Sequence, residues 1–214
     1  MNRTTFLIDG FNLYHSVRDA SRALGGTTTK WLNIRSLCDS YLHVIGNNAQ
    51  TQSAYYFSAL AKHLIASDPD KVKRHKTLIE ALESTGVIVE LAQFKEVTIR
   101  YRSDTCWVTL KRHEEKETDV AISAKLFEIF ITDECDTVVL VTGDTDLAPA
   151  VRTAKKLFPS KGICFAFPYK RKNKELAKLA DISFNINPRK YLQHQFPDPV
   201  VLADGRKIYK PSVW

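Results

Sequence analysis

The sequence predicts an α/β domain in three layers, a mainly parallel sheet covered by helices on both faces, and three observations lead there. Strand-like apolar runs alternate with helix-periodic segments, the order that builds parallel sheets through helical crossovers. Val138, Val139, Leu140 and Val141 are apolar without alternation, as in a strand buried on both faces. With 214 residues, 44% of them hydrophobic, the chain can bury a full core as one domain.

In order, Thr4–Ile8 is β-prone and ends at Asp9-Gly10-Phe11-Asn12. Leu13, Val17 and Ala20 then keep helical spacing to about Arg22, with Asn12 as the expected cap. After the flexible run Gly25–Thr29, Trp31–Val44 reads as one helix presenting Ile34, Leu37, Cys38 and Tyr41, stopped by Gly46-Asn47-Asn48. Ser53–Phe57 is the second strand. Ser67-Asp68-Pro69 opens a helix to about Ser84, with Val72, Leu78, Ile79 and Leu82 inward and Lys71, Lys73, Arg74 and Lys76 mostly outward. Val87–Leu91 is the third strand.

Residues 94–111 break this rhythm. Val97–Tyr101 and Cys106–Leu110 flank Arg102-Ser103-Asp104-Thr105, an inserted β-hairpin expected to protrude with Lys95, Arg100, Arg102, Lys111 and Arg112 beside Tyr101 and Trp107. A helix over Glu117–Thr132 precedes the Val138–Val141 strand. Leu147, Ala150, Val151 and Ala154 then mark a helix to about Leu157. Lys161–Phe167 (strand), Lys174–Ala180 (helix), Ile182–Ile186 (strand) and Pro188–His194 (turn) complete a domain over residues 1–194, with residues 195–214 as an extended C-terminal extension. The expected sheet has five or six strands.

No run of about 18 apolar residues is present to span a membrane, so a cytoplasmic protein without membrane contact is expected. Cys38, Cys106, Cys135 and Cys164 lack zinc-site spacing and are expected as buried free thiols. The net charge of +7 is unevenly placed. Glu117–Asp146 holds eight acids against Lys125 alone, whereas Arg152–Lys190 holds eleven Lys or Arg against Glu175 and Asp181. An acidic centre beside a basic flank suits a site that holds cations and attracts a polyanion.

Asp9 ends the first strand, Asp144 and Asp146 follow the fourth, and Asp119 begins the helix before it. If those strands are neighbours near a topological switch point, the four carboxylates converge. Such a cluster needs raised pKa values or a cation, and an all-oxygen donor set selects Mg²⁺ or Mn²⁺. Metal-assisted phosphodiester hydrolysis is the natural chemistry. Taken singly, each acid also reads as a turn or cap residue.

Phe6-Leu7-Ile8-Asp9-Gly10-Phe11-Asn12-Leu13-Tyr14, Glu115-Lys116-Glu117-Thr118-Asp119 and Val141-Thr142-Gly143-Asp144-Thr145-Asp146 resemble, in order and spacing, the motifs of NYN-domain proteins, the LabA-like branch of the PIN-like nucleases, over about Thr4–Ile186. The resemblance implies a PIN-like α/β/α fold, Mg²⁺ or Mn²⁺ dependence and RNA hydrolysis. Asp9, Asp119, Asp144 and Asp146 match the family's metal-binding acids, Asn12 its polar residue beside the first acid, and Thr142 the hydroxyl usually supplied by Ser. Thr145 and Leu147 depart from the usual Ser and aromatic, and Glu117 stands where Gly is common.

Lys155, Lys156, Lys170, Arg171, Lys172 and Lys174 are candidate phosphate donors, with Tyr169 to stack on a base and Arg100 and Arg102 on the hairpin. Single-stranded RNA is the expected partner, and a homodimer is allowed. The competing expectations are a non-catalytic RNA- or protein-binding module and a haloacid-dehalogenase-type phosphatase. The latter wants an acid two residues after its nucleophile, where this chain has Phe11.

Overall fold

The computed structural model describes residues 1–102 and 106–214, with backbone alone at 101, 108, 110–112, 114 and 115. The elements run β1 (Asn2–Asp9), α1 (Gly10–Ala23), α2 (Ile34–Asp39), α3 (Leu42–Ile45), β2 (Ala49–Ala59), α4 (Asp70–Glu83), β3 (Ile88–Arg102), β4 (Trp107–Lys116), α5 (Thr118–Ile131), β5 (Thr137–Val141), α6 (Ala148–Leu157), β6 (Gly162–Phe167), α7 (Lys174–Leu179), β7 (Ile182–Asn185), α8 (Pro188–Gln193), β8 (Val200–Val201) and β9 (Lys207–Ile208). Six strands pair in parallel in the order β3-β2-β1-β5-β6-β7, and β4 adds an antiparallel edge. The expected α/β fold with a mainly parallel sheet is present.

Each face has its own core. α1, α2, α4 and α8 cover one face through Leu13, Val17, Ile34, Leu37, Leu82 and Tyr191. α5, α6 and α7 cover the other through Ile122, Leu126, Ile129, Val151, Ala154 and Leu176. Val138–Val141 lies between them at 0–3% exposure. Burying each such side chain stabilises by about 1.5–3 kcal/mol, so β5 cannot shift without losing both cores. Covering helices change sides between β1 and β5, whose Ile8 and Val141 pair, and the switch point lies there.

Several boundaries differ from expectation. Asp9, not Asn12, caps α1: its Oδ1 accepts from the Asn12 backbone N–H at 2.9 Å. The segment Trp31–Val44 is not one helix. Asn33 caps α2, Ser40 ends it, and Leu32 bridges to Gln195 instead. Trp31 is thereby held against Phe196 and Trp214, with its indole N–H donating to Pro197 O. On α6, Ala148 rather than Ala150 joins the buried stripe, because a 3₁₀ turn over Thr145–Leu147 resets the phase.

The hairpin is not an independent insert, since β3 runs unbroken from the parallel sheet into the antiparallel ribbon. Its turn falls at 103–105, outside the described residues, as do the side chains of Tyr101, Lys111 and Arg112. Residues 195–214 pack as part of the core: Phe196, Val200 and Ile208 are buried against the α1 face. Cys38, Cys135 and Cys164 are buried free thiols, whereas Cys106 is exposed. Among the described residues, no helix is long and apolar enough to cross a membrane.

Candidate active site

At the C-terminal edge of the sheet, β1 delivers Asp9 and β5 delivers Thr142 to adjacent positions. Asp9 is 4% exposed, and a carboxylate that deep needs donors. Asn12 N–H supplies one at Oδ1, and the buried Thr142 hydroxyl supplies another at Oδ2 at 2.8 Å. Thr142 Oγ1 in turn accepts from the Asp144 N–H at 3.1 Å. Asn12 Oδ1 accepts from the Gly143 N–H at 3.2 Å, joining the first turn of α1 to the turn after β5. Asn12 therefore serves from inside the helix, through its side chain.

Glycine is required at two points here. A Cβ on Gly10 would lie 2.5 Å from Phe57 O, and one on Gly143 would lie 1.9 Å from Arg171 O. The loop after β6 is thus clamped onto the acidic turn. Asp144 caps the 3₁₀ turn by accepting from Asp146 N–H at 3.1 Å, so cap and cluster coexist in one side chain. Asp146 is exposed.

Asp119, at the start of α5, comes from the opposite face of the sheet. Burial first, then the charges of Asp144, Asp9 and Asp146, push its carboxyl up to about 6. Asp119 thus stands within electrostatic reach of the other three predicted acids. Among the described residues no three His, Cys, Asp or Glu side chains are drawn tightly enough together to hold a metal ion as they stand. The donor set is nevertheless all-carboxylate and mutually repulsive, with Asp9 and Asp144 held by backbone N–H groups, which is the chemistry that a hard divalent cation relieves.

Glu117, two residues before Asp119, sits at φ 82°, the left-handed region that favours glycine, and its Oε1 pairs with Lys95 at 2.6 Å. Its charge is directed to Lys95 at the base of the hairpin.

The basic residues divide into three groups. Tyr169, Lys170, Arg171, Lys172 and Lys174 follow β6 at the same edge as the acids. Lys170, Lys172 and Lys174 are exposed there. Arg171 pairs with Asp19 at 2.9 Å. Tyr169 packs partly buried on the α1-side core, its carbonyl accepting from Ser16 and its N–H donating to Tyr191, and the Lys170 ammonium lies 5.5 Å from its ring centroid. Lys155 and Lys156 end α6, which runs back to the opposite edge; Lys155 pairs with Asp181 and Leu179 O. Arg100 and Arg102 are exposed on the ribbon, Arg102 about 30 Å beyond Gln93 at ~3.3 Å per residue. The structure brings neither of these last two groups to the acidic cluster.

Sequence reasoning missed a cavity of about 480 Å³ beginning at Gly10, between α1, the end of β2 and α4. Its residues come from seven separated stretches without a motif, so only folding reveals it.

The family model described as NYN domain matches residues 3–187. A curated relative, 6-hydroxy-3-succinoylpyridine 3-monooxygenase HspA of Pseudomonas putida, is 28% identical over 180 residues, 70% of this chain and 54% of that protein. The chain therefore spans about half the length of that relative. A solved structure of a protein of unknown function from Vibrio parahaemolyticus superposes with a TM-score of 0.57 at 19% identity, over 87% of this chain and 93% of that one. That likeness shows the fold.

Proposed function

The chain belongs to the NYN-domain family of the PIN-like nuclease superfamily, and from that premise we propose that it is a metal-dependent endoribonuclease acting on single-stranded RNA. The observation that carries the proposal is Asp119 at the switch point, its carboxyl lifted to about 6 by burial first and then by the charges of Asp144, Asp9 and Asp146. Asp9, Asp119, Asp144 and Asp146 would hold Mg²⁺ or Mn²⁺. When bound, such an ion polarises a phosphoryl oxygen and lowers the pKa of a coordinated water.

The chain's own residues supply the rest. Thr142 and Asn12 fix the Asp9 carboxylate and the acidic turn. Without a cation Asp119 holds its proton to higher pH than an ordinary aspartate, through burial first and then its acidic neighbours. Lys170, Lys172 and Lys174 stand exposed on the same edge for flanking phosphates. These cations lie on a loop and a helix start, which suits a flexible strand more than a duplex groove. The oxygenase activity of the relative is not transferred, because the match spans about half of that protein at 28% identity.

Incubation with a mixed RNA pool and Mn²⁺ tests the proposal, comparing the parent with Asp144→Asn. Cleavage by the parent alone is expected; equal cleavage by both overturns the assignment. One observation favours a second reading: no three of the acids already stand at metal-holding spacing. RNA binding that persists without cleavage under any divalent ion would select a non-cleaving module on the same fold.

A further inference from the structure

The cavity beginning at Gly10 is distinct in chemistry from the acidic cluster beside it. Its volume of about 480 Å³ falls in the ~300–1,000 Å³ range of small-molecule sites. One wall is a stack of rings: His63 lies parallel to His113, centroids 4.3 Å apart and planes 4° apart, and meets Phe94 edge-on at 4.7 Å. His63 Nδ1 is buried with no hydrogen-bond partner. The lining also carries Lys30, Lys71 and Arg74. Arg74 pairs with Asp68, while Lys30 and Lys71 make no ion pair among the described residues.

Lys30 and Lys71 line the same cavity as the Asp68 carboxylate, which Arg74 holds. Burial first, then Arg18, Arg74 and Lys71, hold the Lys30 ammonium below the usual lysine range. An anion relieves that crowding. A phosphate monoester carries about −1.5 to −2 charges at pH 7 and matches both lysines, whereas a single carboxylate leaves one unmatched. Planar ring walls and an unsatisfied imidazole nitrogen suit a heteroaromatic ring with polar edges.

We infer that this cavity is a nucleotide-binding site, with the base along the His63–His113–Phe94 wall and the phosphate at Lys30 and Lys71. Gly10 borders it and directly follows Asp9, so a nucleotide held here lies next to the acidic edge. The inference rests on the proposed nuclease function only for the source of the nucleotide, the strand beside the cut.

The test is independent of cleavage. The four nucleoside 5′-monophosphates, which contain no phosphodiester bond, are titrated calorimetrically into the full chain in Mg²⁺ buffer. At least one is expected to saturate. Lys71→Glu and Ala61→Trp, which fills the cavity, should each weaken it at least about tenfold, the loss expected for a charge-assisted contact. Lys156→Glu, at the opposite edge, should not. Thermal melts check that each variant folds, and Lys71→Glu keeps the test decisive if the tryptophan variant does not. A 5′-phosphorylated phosphorothioate RNA tetramer separates the sources: saturation by the tetramer alone, weakened by the same variants, assigns the site to a strand-borne nucleotide. The inference is overturned if neither probe saturates or if cavity variants bind both as tightly as the parent. Binding of pyridine-3-carboxylate with neither nucleotide probe also overturns it. Loss of the nuclease proposal, through uncleaved RNA, leaves these titrations unchanged.

Discussion

The Thr142 hydroxyl donates to Asp9 Oδ2 at 2.8 Å in a buried setting, tying the ends of two neighbouring parallel strands at the switch point. Thr142→Val keeps the shape but takes one donor from the buried Asp9 carboxylate and the acceptor from the Asp144 N–H. We expect a loss of about 1–3 kcal/mol in urea unfolding, the cost of an unsatisfied buried polar group. Thr142→Ser retains the hydroxyl and should lose less. Equal losses in the two variants would show that packing of the methyl, not the hydrogen bond, is what matters.

Gly143 lies so close to the loop after β6 that a Cβ would stand 1.9 Å from the Arg171 carbonyl oxygen. The obstacle is backbone, so it cannot rotate aside. Gly143→Ala should cost about 1–3 kcal/mol, as overpacking does, and should displace the loop bearing Lys170 and Lys172. Thermal melting reads the first effect, and amide chemical shifts of residues 168–173 read the second. Unperturbed shifts there would contradict the close approach.

Asp119 sets a pH dependence with a definite sign. Its folded carboxyl, lifted to about 6, lies above the ordinary aspartate value of about 3.9, so between those values the folded chain binds more protons than the unfolded chain. The stabilisation is therefore present below the lower value and is lost as pH rises through the upper one. In chelator, the melting temperature of Asp119→Asn relative to the parent should climb between pH 4.5 and 6.5 and level off above. Asp136, held down to about 2 by Arg3, changes stability with the opposite sign and at lower pH. A gap that stays constant over the stated range would rule out the crowding of Asp119.

Glu117 occupies the left-handed region at φ 82°, a conformation that costs a non-glycine residue about 1–2 kcal/mol. Glu117→Gly removes that cost and gives back about 0.5–1 kcal/mol of backbone entropy. Loss of the exposed Lys95 pair subtracts little more. Glu117→Gly should therefore hold or slightly raise the melting temperature, whereas Glu117→Val, β-branched at positive φ, should lower it clearly. A drop in both would mean that the Lys95 pair outweighs the strain.

The parts of this molecule written in local pattern were readable from residues 138–151 outward. A four-residue apolar run, a Gly turn and two acids identify β5, its turn and the helix after it, because burial on both faces leaves a distinctive signal. The acids could be grouped because strand ends in a parallel sheet share an edge. What escaped was set by tertiary contact. The Trp31–Val44 stretch has helical spacing, yet Trp31 and Leu32 are drawn into extended pairing with Gln195. Lys155 and Lys156 follow the acidic turn closely in sequence, but α6 carries them to the opposite edge. The backbone of Tyr169 is held by Ser16 and Tyr191, more than 20 residues away along the chain, a contact that no local pattern announces.

That division of the basic residues makes the last prediction quantitative. Each phosphate contact with a single strand contributes a slope of roughly −0.7 to the logarithmic dependence of affinity on salt. Lys170, Lys172 and Lys174 are exposed beside the acidic turn, so replacing all three by Ala should flatten the slope by about 2 and weaken binding most at low salt. Lys155 is committed to Asp181, and Lys156 shares its distant edge, so the double Ala variant there should leave the slope within error of the parent. Titration of a labelled single-stranded RNA at several salt concentrations distinguishes them. Equal flattening by both sets would mean that RNA follows net charge rather than the edge where the carboxylates meet.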